Sequence, residues 1–340
     1  MPLDPHIAGR VRVIPTDPAW NADRRDPNNT EVYAEFFTDP MPYELPASVN
    51  IRNDVVNGPH GPIPVRIYRP AGVVGTVPAM LWIHGGGFAG GDLDMNESHV
   101  TSAEIAARSR ALVVAVGYRL ATDGVRYPVP LDDVEAAWLW LVANAADLGV
   151  DAARIAIGGG SAGANLAAAT VVRLRRNAGG LPAVMLLAYP ALHFPLPALA
   201  DEVHSVMATL PRVLRASAVA VTAMYANYAG RISDLPAEVT PGHADLHGFP
   251  PTRILISEYD DFRPSGELFA QQLAEAGVPV ETRLSTGMLH GHLNRTPALH
   301  EVSRSLDFFA AALGEMGTGE SRAAEGSRPG VFVSTRREVF

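Results

Sequence analysis

The chain has 340 residues, 47% of them hydrophobic and 19% charged, with 27 basic residues against 36 acidic ones and a formal net charge of −9. That length suits one large domain or two, and the acidic balance disfavours nucleic acid and anionic membranes as partners, because both reward a basic surface. Every basic residue is Arg and Cys is absent, which excludes a Lys Schiff base, a P-loop Lys, disulfides, Cys-ligated metal and a Cys nucleophile.

Residues 1–50 are rich in Pro, Asp and Asn, with one apolar stretch at Val32–Phe37, and read as irregular structure with a short helix. The opening MPLDPHIAGRVRVIP lacks the apolar segment of a signal peptide. No apolar run reaches the roughly 18–20 residues of a membrane span, so the expectation is a cytoplasmic protein. From about Ile51 the texture changes. A turn signal, NGPHG, precedes IPVRIYR (63–69), whose alternation is that of a half-buried strand. Apolar runs at 78–83, 111–116, 154–157, 183–188, 253–257 and 278–284 continue the series. Amphipathic stretches at 98–109, 131–146, 162–176, 265–276 and 298–313 lie between them. Such alternation predicts an α/β protein with a mostly parallel sheet covered on both faces. Residues 190–248 break the rhythm: they hold no clear strand but carry helical texture, as at Val213–Tyr228. They read as a helical insertion lying over the sheet's C-terminal edge. Beyond Glu315 the chain is rich in Gly, Ser, Arg and Glu and reads as a loose tail, with Val331–Val333 as a weak candidate edge strand.

Four motifs fall at predicted strand ends. His84-Gly85-Gly86-Gly87-Phe88 follows the strand at 78–83. Such a loop can aim backbone N–H groups at an oxyanion, each worth on the order of 3–4 kcal/mol in the transition state. Taken alone, the same loop is as readily a flexible turn. Gly159-Gly160-Ser161-Ala162-Gly163 joins the strand at 154–157 to the helix at 162–176 and fits the G-x-S-x-G nucleophile elbow. Small residues two before and two after the Ser leave room for crossing chains, and the helix start offers the Ala162 N–H to negative charge. The same run satisfies the dinucleotide pattern as Gly158-x-Gly160-x-x-Gly163. No Asp or Glu stands between Asp151 and Asp201 to hold a NAD ribose, and Arg173, Arg175 and Arg176, which an NADP site would need, read as a solvated helix face. Glu258-Tyr259-Asp260-Asp261 ends the strand at 253–257, either as an N-cap or as the source of a triad acid. Asp260 is the first choice, Asp261 the fallback and Glu258 the third. Gly287-Met288-Leu289-His290-Gly291-His292 follows the last strand, where His290 can reach back to the Ser. His290-x-His292, or His243 with Asp245 and His247, could instead begin a metal site, but no third ligand is identifiable.

The order Ser161, Asp260, His290 is that of α/β-hydrolases. The chain resembles the hormone-sensitive-lipase-like family of that fold, which includes bacterial carboxylesterases and acetyl esterases. The resemblance rests on HGGGF (84–88), YRLA (118–121), LDD (131–133), GGSAGAN (159–165), EYDDFR (258–263) and GMLHG (287–291), and spans roughly residues 60–312. It implies Ser161 as nucleophile, His290 as general base and acid, Asp260 as the acid orienting His290, and Gly86, Gly87 and Ala162 as oxyanion-hole donors. It implies no cofactor and no metal. It also implies a cap made of residues 1–50 and 190–248 over a catalytic core at 51–189 and 249–315, with 316–340 as the tail. Several positions depart from the family pattern: Gly160 and Ala164 replace Asp and Gly, Thr122-Asp123 replace Pro-Glu, Asp261 replaces Pro, and His292 replaces an aromatic. Asp261 is expected to point to solvent, because a second buried acid beside Asp260 would discourage both from ionising.

These features predict ester hydrolysis through an acyl-enzyme, on short-to-medium neutral esters, with activity falling on the acid side as His290 protonates. The rivals are a catalytically silent receptor on the same fold and an NADP-binding oxidoreductase using the 158–163 glycines. Amidases, lactonases and acyltransferases share the triad chemistry. The expected partner is a small-molecule ester, with neither nucleic acid nor membrane, and a homodimer is a further expectation.

Overall fold

The computed structural model describes residues 2–17, 20 and 26–316. Among these the chain runs α1 (Pro5–Val11), α2 (Thr30–Phe37), β1 (Val49–Gly58), β2 (Gly61–Pro70), β3 (Val77–Ile83), α3 (His99–Ser109), β4 (Leu112–Val116), α4 (Val129–Ala143), β5 (Val150–Gly160) and α5 (Ala162–Arg176). It continues through β6 (Met185–Ala188), α6 (Asp201–Met207), α7 (Ala218–Ala229), β7 (Thr252–Tyr259), α8 (Arg263–Glu275), β8 (Val280–Leu289) and α9 (His300–Glu315). The tail reading for 316–340 falls, beyond Met316, outside the described residues, as does the strand candidate Val331–Val333.

The strands form one sheet in the order β1-β2-β4-β3-β5-β6-β7-β8. β1 with β2 and β2 with β4 are antiparallel; every pairing from β4 to β8 is parallel. Period-two alternation feeds two cores. On β3, Ala79, Leu81 and Ile83 face one side with Val134 and Leu141 of α4, Leu166 of α5 and Phe269 of α8. Met80 and Trp82 face the other with Ile105 of α3 and Val302, Leu306 and Phe309 of α9. Both faces are covered, so the central strands read as unbroken apolar runs; all seven residues of β3 are buried. No described helix is long and apolar enough to cross a membrane.

The predicted helices and inner strands stand where the sequence puts them, within a few residues at their ends. β1 went unread. It is an edge strand with only Val49 and Val56 buried, so its sequence carries no alternating apolar signal. Residues 190–248 hold no strand, and their helices pack on both cores: Met207 joins the α9 side, while Val221, Tyr225 and Tyr228 join the α5 side. Arg173 is a correction. It is buried, with its guanidinium bonded to Asp132, Glu135 and Glu238. Three carboxylates supply the compensation that burying a cation requires, so it is no solvated face. Arg176 pairs with Glu238 as well.

Candidate active site

Parallel strands β3, β5, β7 and β8 end at one edge of the sheet, and each delivers one of the four motifs there. Ser161 sits between β5 and α5 with φ 52° and ψ −116°, outside the regions an L-residue prefers. The turn is held by Ser161 N–H donating to Ala188 O at 2.9 Å and by Asn165 N–H donating to Ser161 O at 3.1 Å. Its sharpness depends on Gly163: a Cβ there would lie 2.1 Å from Ile83 O and 2.5 Å from His84 O. The strand β3 backbone therefore fills the space beside the elbow glycines.

His290 follows β8 directly. Its Nε2 lies 2.8 Å from Ser161 Oγ and its Nδ1 lies 2.7 Å from Asp260 Oδ2. Asp260 is 1% exposed, and its other oxygen accepts the Phe262 N–H at 2.8 Å. One carboxylate oxygen is thus fixed by backbone and the other faces the imidazole. The ring of His290 meets the edge of Tyr189 at 5.1 Å and the Phe262 ring at 5.0 Å. The two alternative acids are engaged elsewhere. Glu258 accepts the Gly287 N–H at 2.7 Å. Asp261 is a correction: it is 7% exposed rather than solvent-facing. Arg215 bonds both its oxygens, at 2.9 to 3.2 Å, and the Ala216 N–H donates to it at 2.7 Å. A guanidinium and a backbone donor offset its burial, and both come from the 190–248 segment, which the local sequence does not reveal.

The triple-glycine turn lies beside Ser161. Gly86 and Gly87 adopt φ 109° and 62°, conformations open chiefly to glycine. Among the described residues, no acceptor takes the Gly86 or Gly87 N–H. Ala162 opens α5, where the first N–H groups have no intrahelical acceptor. His84 faces away, stacked on Tyr118 at 4.5 Å and bonded through Nδ1 to Gly85 O at 2.8 Å. Burial holds its imidazole below the ordinary value. YRLA and LDD are scaffolding: Tyr118 donates to His84 O at 3.0 Å, and Arg119 donates to buried Asp133 through backbone and guanidinium at 2.9 and 2.5 Å.

A cavity of about 260 Å³ opens over Ser161. Its walls include Phe36, Phe37, Met95, Leu214, Met224 and Leu289. Arg295 holds the first two in place, bonding to Phe36 O and stacking over the Phe36 and Phe37 rings at 4.9 and 5.4 Å. Of the apolar residues Phe36, Phe37, Phe194, Met207, Leu210 and Tyr225 in the segments 1–50 and 190–248, Phe36 and Phe37 reach this cavity, whereas Met207, Leu210 and Tyr225 are packed into the cores and Phe194 packs against one of them. Met224, next to Tyr225, reaches it as well. No periodicity distinguishes the two, because α7 is apolar on several faces.

The histidines do not assemble a metal site. His292 is buried with Nδ1 2.9 Å from Ser257 Oγ and Nε2 3.0 Å from Ser305 Oγ, so both its ring nitrogens are engaged by hydroxyls. Exposed His247 is bonded to Asp245 at 2.7 Å, while His243 packs edge-on against His193. Among the described residues no three His, Asp or Glu side chains are grouped to hold an ion. Burial lowers His292 from the ordinary 6.5 to about 3. The unfolded chain therefore takes up this proton near pH 6.5 while the folded protein refuses it until about pH 3. The stability this represents is complete above pH 6.5 and is lost as pH falls toward 3, at up to about 1.4 kcal/mol per pH unit. His292→Gln should flatten that slope by about this amount in urea unfolding between pH 6 and 4. An unchanged slope would mean that His292 is not buried neutral.

A family profile for the alpha/beta hydrolase fold matches residues 80–294. The chain is 39% identical to the carboxylesterase NlhH of Mycobacterium tuberculosis over 68% of its own length and 72% of that protein. It is 38% identical to the esterase LipI of the same organism, over 70% of this chain and 73% of LipI. A hyperthermophilic esterase from Pyrobaculum calidifontis superposes with a TM-score of 0.76 at 28% identity, covering 93% of this chain and 99% of that one. The chain belongs to the α/β-hydrolase family, in its hormone-sensitive-lipase-like branch.

Proposed function

We propose that the protein is a serine carboxylesterase acting on short, uncharged carboxylic esters. The observation that carries this is the relay from Ser161 Oγ through His290 to Asp260, with bonds of 2.8 and 2.7 Å, in a cavity also lined by Gly86 and Gly87. The esterase names of NlhH and LipI support it. Ser161 Oγ attacks the ester carbonyl as His290 Nε2 takes its proton. Asp260 holds the imidazole in the tautomer with its proton on Nδ1 and balances the imidazolium that forms. The N–H groups of Gly86, Gly87 and Ala162 receive the oxyanion, aided by the positive end of α5. His290 returns the proton to the leaving alcohol. It then activates water, which attacks the acyl-Ser161 carbonyl and releases the acid.

The substrate class follows from the walls. The cavity is small for a ligand site and its lining is largely apolar, while Arg215, the guanidinium on its wall, is already paired with Asp261. A charged acyl group would have no free counter-ion there. Residues 1–50 and 190–248 together act as the cap that sets this volume. Met224 is the residue to vary, since it rests against Gly87: a Cβ on Gly87 would meet its Sδ at 3.6 Å. With p-nitrophenyl esters of increasing acyl length, the wild type should peak at short chains. Met224→Ala should shift the optimum to longer ones, changing the long-to-short ratio of kcat/KM by on the order of tenfold. A profile that is flat, or that peaks at long chains in the wild type, contradicts the substrate assignment.

A further inference from the structure

Glu97 lies between the triple-glycine turn and α3, and the reaction above assigns it no role. It is 1% exposed. One carboxylate oxygen accepts the Gly85 N–H at 2.5 Å. The other accepts the Tyr189 hydroxyl at 2.5 Å and lies 3.4 Å from the Asn294 amide nitrogen. The Glu97 carbonyl is held in turn by the Trp82 indole N–H at 2.8 Å.

The partners of this carboxylate define its place. Gly85 immediately precedes Gly86 and Gly87. Asn294 belongs to the turn that follows His290, and the Tyr189 ring meets the edges of both His290 and His292 at 5.1 Å. One buried group therefore bonds the turn carrying the oxyanion donors and the turn carrying the base, on either side of Ser161. Gly160, the neighbour of Ser161, is shaped around it: a Cβ there would stand 2.6 Å from Glu97 Cδ and 2.7 and 2.8 Å from its oxygens. Burying a carboxyl group is costly unless donors satisfy it. An apolar residue would fill the same space at less cost, so space-filling does not account for an acid here.

We propose that Glu97 is a positioning residue for ester hydrolysis, whose carboxylate fixes the Gly86–Gly87 turn relative to the His290 turn. This rests on the serine-esterase reading above. Displacements near 1 Å in an active site cost about 10²-fold in rate. Glu97→Ala should therefore lower kcat by about 10²-fold on a short p-nitrophenyl ester and leave KM within about threefold. Glu97→Gln keeps an acceptor for Gly85 but turns an amide N–H₂ toward the Tyr189 hydroxyl. It should lower kcat by about tenfold without a large change in melting temperature. Relocating the acid supplies the decisive arm. Glu97→Ala combined with Gly160→Asp hangs a carboxylate from a point beside the vacated one and should recover kcat to within about tenfold of wild type. Gly160→Asp alone, which crowds two acids, should be worse than wild type in both activity and melting temperature. Glu97→Ala and Glu97→Gln enzymes that are folded and turn over at the wild-type rate would overturn the proposal, as would losses borne by KM rather than kcat. Ser161→Ala measured alongside separates the two readings. If it is inactive while the Glu97 variants are fully active, only the role of Glu97 fails; if it is active, the esterase mechanism fails.

Discussion

Ser161→Ala should lower kcat on a short p-nitrophenyl ester by about 10⁵–10⁶-fold while leaving the protein folded. The size of the effect follows from chemistry. Without the hydroxyl no acyl-enzyme can form, and His290 is left with a water that nothing positions for attack. The residual rate is what the oxyanion donors and binding alone provide. The fold should tolerate the change, because the bond of Ser161 Oγ is to His290 Nε2 and the turn is held by backbone bonds to Ala188 and Asn165. Alanine meets the same strained φ of 52° with one heavy atom fewer. Circular dichroism and thermal unfolding of the variant check that the loss is catalytic. A rate within tenfold of wild type would remove Ser161 from the mechanism.

Asp260→Asn should cost about 10⁴-fold in kcat at neutral pH. The Asn can still accept the Phe262 N–H through its oxygen, since that bond requires only an acceptor. Its amide nitrogen then faces His290 Nδ1 as a donor, so Nδ1 must accept and the ring proton moves to Nε2. An imidazole protonated on Nε2 cannot take the Ser161 proton. Asp261→Asn makes the contrast, one residue along. Asp261 bonds Arg215 and Ala216 rather than His290, so its loss should loosen residues 213–216 and change kcat by no more than several-fold. Equal losses in the two variants would mean that the acids act as a pair. A larger loss in Asp261→Asn would reverse the assignment.

What was legible in the sequence was local. β3, β4 and β7 announce themselves as apolar runs because both of their faces are covered, and each motif lies within a few residues of a strand end. Strand, turn and residue type together therefore put Ser161, Asp260 and His290 at one edge. β1 was illegible because an edge strand with two buried residues has no pattern to read. Asp261 was misplaced because its partner stands 46 residues away in a segment of no regular periodicity. Arg173 was misplaced because a helix carrying three Arg in its last turn looks solvated until Glu238 is folded against it. Glu97 was invisible for the same reason. It stands in a polar stretch, GDLDMNESH, and its Tyr189 partner is 92 residues distant. The chemistry that depends on a short spacing could be read; the bonds that hold two distant turns in register could not.

The most direct test is to trap the intermediate. The protein is mixed with excess p-nitrophenyl acetate, quenched in acid within the first turnover, digested and analysed by mass spectrometry. An acetyl group on the peptide bearing Ser161, absent from the Ser161→Ala protein and lost again when the unquenched enzyme exhausts its substrate, is the predicted result. Steady turnover with no acyl group on that peptide at any time, or with acylation at another residue on the path to product, would contradict nucleophilic attack by this serine.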